Sequence, residues 1–272
     1  MNVTGPVVSV RDLALRFGER TLWRDLDFEL ARGELLAVLG PNGTGKTSLL
    51  RILLGLAQPS AGSVEIAGLP PRAARNRIGY IPQQRIFDRE LSLRARDLVR
   101  LGLDGQRWGV GLPSQARRQR IERVLEEVGA ASYTDAPIGQ LSGGEQQRLR
   151  VAQALVSDPL LVLADEPLLS LDLASQQLVT GLLEARRRRF RTPVVFVTHD
   201  INPILPLVDR VLYLAPGRWA VGGPDEVLTS ERLSSLYETE VDVLRVRGRI
   251  VVVGTPEDQD VHHARAQEVA RV

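Results

Sequence analysis

Residues 40–47 read Gly40-Pro41-Asn42-Gly43-Thr44-Gly45-Lys46-Thr47, and this segment constrains the fold more than any other. The pattern is a glycine, four residues, then glycine, lysine and a hydroxyl residue. A chance match in a chain of 272 residues has odds of about 1 in 100. It serves as a phosphate cradle only between a buried strand and the start of a helix. Both flanks are legible. Glu34 to Leu39 is short and apolar, and Lys46 to Leu56 carries Leu49, Leu50, Leu53 and Leu54 at helical spacing. The glycines let backbone N–H groups curl around phosphates without Cβ clashes. The helix start adds unpaired N–H groups and its positive end. Lys46 is placed to reach β- and γ-phosphates, and the Thr47 hydroxyl, followed by Ser48, to face Mg²⁺. Lys46 is also the only lysine among 35 basic residues; every other cation is arginine. A compact ammonium and a planar guanidinium differ chemically, and this one position keeps the ammonium.

A second segment supplies the complementary acids. Leu160 to Ala164 is a continuous apolar run, as a parallel strand covered on both faces requires. It ends in Asp165 and Glu166. Asp165 is placed to hold Mg²⁺ through its water shell and Glu166 to polarise an attacking water.

Around these lie further elements. Val7 to Leu15 and Leu26 to Leu30 alternate as paired half-buried strands, and Val64 to Ala67, Ile78 to Ile81 and Val194 to Val197 are further strands. Between Leu91 and Val156 the pattern becomes helical, with Ile121, Val124, Leu125 and Val128 on one face before Gly129, and a second helix over Gly143 to Val156. Leu173 to Phe190 is a helix ending in Arg186 to Arg189, expected on a solvated face at the helix's negative end. Val211 to Leu214 and Trp219 to Val221 flank Pro216-Gly217, and Val241 to Val246 with Arg249 to Val253 form a hairpin around Arg247-Gly248. The residues after Gly254 are polar and expected to fray.

Composition narrows the function. A net charge of +2 argues against a nucleic-acid partner. The absence of cysteine removes disulfides, thiolate metal sites and cysteine catalysis. No apolar run approaches the length of a membrane span and no signal peptide opens the chain, so a soluble chain is expected whose membrane role comes through a partner. His262-His263 on the polar tail reads as incidental rather than as a metal site.

Leu141-Ser142-Gly143-Gly144-Glu145-Gln146-Gln147-Arg148 lies between the phosphate loop and the acidic strand. It resembles the signature of the ATP-binding-cassette (ABC) family. Ser142, Gly143 and Gly144 open a helix and so present N–H donors to an anion. The resemblance runs over roughly residues 7–223 and implies an α/β fold: a P-loop NTPase cassette with a RecA-like parallel-sheet core, an N-terminal antiparallel β subdomain and an inserted α-helical subdomain. The implied cassette spans 1–240, with the helical insertion at about 88–157, and a β-hairpin extension and tail occupy 241–272.

The same resemblance implies the remaining roles. Ser142 to Gly144 would close on the ATP of a second cassette, so that a homodimer or heterodimer sandwiches two nucleotides head to tail. Gln83 resembles the glutamine that touches Mg²⁺ and reports to the membrane partner. Asp172, in Ser170-Leu171-Asp172, resembles the acid crossing the dimer interface, and His199 the switch histidine at the γ-phosphate. Phe17 stands where the family stacks an aromatic on adenine. ATP and Mg²⁺ are the implied substrate and cofactor, and the implied activity is ATP hydrolysis coupled to transport. Integral-membrane permease subunits and an extracytoplasmic binding protein are the implied partners, at the cytoplasmic face of the membrane.

Residues 83–99 and 233–246 resemble the cassettes of zinc and manganese importers, and the end of the chain also resembles some siderophore-importer cassettes. A single-cassette ATPase of iron–sulfur assembly and an exporter cassette are the alternatives.

Overall fold

The computed structural model describes residues 5–83, 87–104 and 114–254. The chain opens with β1 (Val8–Phe17) and β2 (Arg20–Leu30), then β3 (Leu35–Leu39), the loop, and α1 (Lys46–Leu53). Next come β4 (Ala61–Ile66), α2 (Pro71–Ala74), β5 (Ile78–Ile81), α3 (Ala95–Asp104), α4 (Gln115–Glu127) and α5 (Gly143–Leu155). The second half holds β6 (Leu161–Asp165), α6 (Leu173–Phe190), β7 (Val194–Val197), β8 (Arg210–Ala215), β9 (Arg218–Gly222), α7 (Pro224–Val227), α8 (Ser230–Tyr237), β10 (Asp242–Val246) and β11 (Arg249–Val253).

The main sheet has the order β5-β6-β7-β3-β8-β9, parallel except for β9. Its strands are apolar on both faces because both are covered. Leu36, Val38, Leu161, Leu163, Val195 and Val197 point to one side, where α1 and the antiparallel sheet β2-β1-β4 close the core. Leu35, Ala37, Val162, Ala164, Val194 and Phe196 point to the other, against α3, α5, α6 and α8. The phosphate loop leaves the carboxyl end of β3 and the acids leave that of β6. The two strands are separated only by β7, so both motifs emerge at the same edge of the sheet.

Two expectations need correction. Helix α1 stops at Leu53 rather than Leu56. Gly55 takes φ +68°, its N–H bonds the Ile52 carbonyl, and a Cβ there would lie 2.6 Å from the Arg72 nitrogen, so the chain must turn. The arginine run is also not uniformly solvated. Arg186 is buried, donates to Asp158 Oδ1 at 2.9 Å and lies 4.0 Å from the Phe190 ring centroid. Arg187 is nearly buried too, gripping Glu184 at 2.6 Å and Asp209 at 2.5 Å. Only Arg188 and Arg189 face solvent. Val179, Leu183 and Arg186 follow one another at i, i+4, i+7, so Arg186 occupies the inward stripe of α6.

Because Asp158 is itself half exposed, the pair's charge term is small and packing of the Arg186 stem carries most of its value. Arg186→Ala is expected to cost about 1 kcal/mol, a melting temperature lower by roughly 2–4 °C. An unchanged thermal melt would refute that account of the helix end. Among the described residues no helix is long and apolar enough to cross a membrane.

Candidate nucleotide site

The phosphate loop is built by backbone conformations that need glycine. Gly40 has φ +134°, and a Cβ there would sit 2.0 Å from the Leu214 carbonyl of β8. Gly45 has φ +95°, and its Cβ would meet Trp23 Nε1 at 2.7 Å. Glycine is therefore required behind the loop as well as in front of it, because the buried Trp23 indole fills the space under Gly45. Lys46 is buried at the first position of α1, and its ammonium donates to the carbonyls of Gly40 and Pro41, the latter at 2.8 Å. Thr44 Oγ1 donates to the Pro41 carbonyl at 2.9 Å.

In front of the loop opens a cavity of about 750 Å³ lined by Phe17, Asn42, Gly43, Lys46, Thr47, Ser48, Gln83, Glu166 and His199. Residues far apart in sequence thus converge there. Phe17 is 60% exposed at the end of β1, a free ring face at the cavity mouth. Arg20, across the same turn, lines the cavity and donates to the Gly43 carbonyl at 3.4 Å. No sequence motif marks Arg20 for this place; the strand register sets it opposite Phe17 across a two-residue turn.

Glu166 is the hub. Its Oε1 lies 2.5 Å from His199 Nε2 and its Oε2 accepts from Gln83 Nε2 at 3.3 Å. Its φ of +46° lies in the left-handed region, a strained conformation for a non-glycine residue. The Glu166 N–H is held by the Val197 carbonyl at 3.0 Å.

Asp165 stays buried at the end of β6. Burial, and then the neighbouring Glu166, push its carboxyl above the usual range. Lys46 and hydrogen bonds with Thr47 and Tyr80 pull the other way without winning. The Tyr80 phenol is itself pushed up by burial and by Asp165, to which it is hydrogen-bonded. No motif marks Tyr80 for this place. A raised carboxyl beside a hydroxyl and a second acid is a donor set short of positive charge. It is hard, oxygen-rich and anionic, and so fits Mg²⁺.

Ser142, Gly143, Gly144 and Asp172 are absent from the lining of this cavity. They form a second, separate constellation. Ser142 caps α5 in a reciprocal box: the Glu145 N–H donates to Ser142 Oγ at 3.3 Å, and Glu145 Oε2 accepts from the Ser142 N–H at 2.8 Å. The Ser142 hydroxyl first, with its N–H, holds the Glu145 carboxyl below the usual range. Asp172 caps α6 through Ser175, whose N–H and hydroxyl hold the Asp172 carboxyl low. The two helix starts touch, since a Cβ on Gly144 would lie 2.5 Å from Ser175 Oγ. Two helix N-termini therefore stand side by side, joined to the Glu166 hub through residues 166–172.

Downstream of Gln83, Phe87 is pinned to α5. Its N–H donates to Gln146 Oε1 at 3.1 Å, and the Arg150 guanidinium lies 4.3 Å from its ring centroid. His262-His263 lies outside the described residues.

The family described as "ABC transporter" matches residues 23–169. The zinc transport system ATP-binding protein TroB of Treponema pallidum (strain Nichols) is 33% identical over 267 residues, covering 98% of this chain and 97% of that protein. An inward-facing transporter described as of metal-chelate type has a chain that superposes with a TM-score of 0.77 at 28% identity, over 91% of this chain and 96% of that one. A dimeric, post-hydrolysis ATP-binding cassette, MJ0796 bound to ADP and Pi, superposes with a TM-score of 0.66 at 28% identity, over 78% and 97%.

Proposed function

The chain belongs to the ABC transporter family as an ATP-binding, ATP-hydrolysing subunit, and from that premise we propose that two copies close head to tail on two ATP molecules to drive import of a divalent metal ion or its chelate. The observation that carries the hydrolytic part is the meeting of Gln83 and His199 on the two oxygens of Glu166 at the mouth of the Lys46 cavity.

In this reading Phe17 stacks on adenine, while Lys46 and the loop N–H groups from Asn42 to Ser48 bind the β- and γ-phosphates. Thr47, Asp165 and Gln83 would hold Mg²⁺, which when bound neutralises the developing phosphate charge. Glu166 takes a proton from the attacking water as it adds to the γ-phosphorus and the β–γ bridge breaks. His199 orients Glu166 and faces the γ-phosphate. Ser142, Gly143 and Gly144 of a second copy present their helix end to the same phosphate, with Asp172 beside them. That constellation lies outside its own subunit's cavity, which suits a role in trans.

The link from Gln83 through Phe87 to α5 offers a route by which closure moves the helical region. Integral-membrane permease subunits would receive that motion at the cytoplasmic face, with an extracytoplasmic binding protein delivering cargo. The metal cargo rests on likeness to the zinc relative, since this subunit binds nucleotide rather than cargo.

The test is uptake. Cells producing the chain with its permease and binding protein should accumulate zinc or manganese, and should lose uptake when this subunit carries Glu166→Gln. Uptake of neither metal, with ATPase activity intact, would overturn the cargo assignment.

A further inference from the structure

The turn carrying His199 is clamped from outside the nucleotide cavity. Thr198 Oγ1 donates to the Asp200 carbonyl at 2.8 Å and accepts from the Asp200 N–H at 3.2 Å, closing a tight loop around the histidine. Asp200 Oδ1 accepts from both the backbone N–H and the side-chain amide of Asn202, at 2.9 and 2.8 Å. The same amide grips the C-terminal hairpin. Asn202 Nδ2 donates to the Ile250 carbonyl at 3.0 Å, and Asn202 Oδ1 accepts from the Ile250 N–H at 2.8 Å. One side-chain amide thus stands in for a neighbouring strand at a single rung of β11.

Apolar packing shares this job without fixing a direction, since Ile201 and Ile204 are buried in the same core cluster as Ile250. A cavity of about 220 Å³ lies beside them, lined by Gly40, Pro41, His199, Asn202, Tyr237 and Ile250 among others. The hairpin has its own anchors. The Val241 and Val243 N–H groups donate to Ser234 Oγ and Ser230 Oγ of α8, each at 2.9 Å, and Val241 and Ile250 are buried. The Asn202–Ile250 pair is therefore spare for holding the hairpin. Beside the buried Ile201, it gives the 198–202 turn a directional hold on a fixed body.

We propose that Asn202 is a positioning residue for hydrolysis: braced on Ile250, it fixes the turn that holds His199 Nε2 at Glu166 Oε1. This deepens the reading of His199 and Glu166 given above and rests on it. Nucleotide affinity, set by Lys46 and the loop, does not depend on it.

The test compares the full-length chain with its Asn202→Ala, His199→Ala and doubly substituted variants. Steady-state ATPase and equilibrium ATP binding are measured on each. Asn202→Ala should lower kcat by roughly ten- to a hundredfold, leaving KM and ATP affinity unchanged. The double variant should be no slower than His199→Ala alone, since both act through one group. Should the alanine variant fail to fold, the isosteric Asn202→Asp keeps the acceptor for the Ile250 N–H but loses the donor to Asp200 and Ile250, and should also show a lowered kcat. A kcat within twofold of wild type in either variant overturns the proposal, as do losses that multiply in the double variant. A wild-type rate in His199→Ala would instead overturn the underlying assignment of the histidine.

Discussion

Glu166→Gln is expected to lower kcat for ATP hydrolysis by about 10²–10⁴-fold while ATP binding persists. The substitution removes a base, not a shape. The amide keeps one oxygen for His199 Nε2, now 2.5 Å from Glu166 Oε1, but it cannot accept a proton from water. It also deletes a negative charge beside Asp165, whose carboxyl is already pushed up by burial and by that neighbour. Less repulsion then meets an incoming triphosphate, and the bound state persists because it is not consumed. Gel filtration with ATP and Mg²⁺ should show a stable dimer for this variant and a monomer without nucleotide. Turnover at the wild-type rate would remove Glu166 from the mechanism.

Lys46→Ala is expected to weaken ATP binding by about 3 kcal/mol, roughly a hundredfold in Kd. The ammonium is buried and held on the Gly40 and Pro41 carbonyls, so it is aimed before nucleotide arrives. Removing it leaves both carbonyls without that donor and two phosphates without their compact cation. Lys46→Arg should fare little better, because a planar guanidinium cannot occupy the space inside the loop. Equilibrium titration with a fluorescent ATP analogue checks both variants. Affinity within twofold of wild type would show that the loop does not bind triphosphate through this residue.

Contiguous motifs were legible in the sequence because their chemistry is local. The phosphate loop, the acids after β6 and the Ser142 helix end each combine a special backbone with a reactive side chain within a few residues. The strands of the main sheet were legible because burial on both faces leaves an unbroken apolar run, as in Val194 to Val197. Helix α3 fell inside the helical block after Leu91 but had no legible bounds, because Ala95 to Asp104 mixes arginines with leucines. Arg186 misled because an arginine reads as solvated until its place on the Val179–Leu183 stripe is noticed. The contacts that tune the site could not be read at all. Tyr80 with Asp165, and Asn202 with Ile250, join residues tens of positions apart: the first pair meets because β5 lies beside β6, the second because the separate β10-β11 hairpin packs beside the turn after β7.

If two copies sandwich ATP, the Ser142 helix end of one meets the phosphate loop of the other. The native chain has no cysteine, so introduced thiols report without background. One copy carrying Asn42→Cys and another carrying Ser142→Cys, both with Glu166→Gln, are mixed and treated with a short bismaleimide. A cross-linked heterodimer is expected that forms with ATP and Mg²⁺ and not without them. Linkage between two Ser142→Cys copies only, or no linkage in ATP under conditions where the dimer elutes, would contradict it.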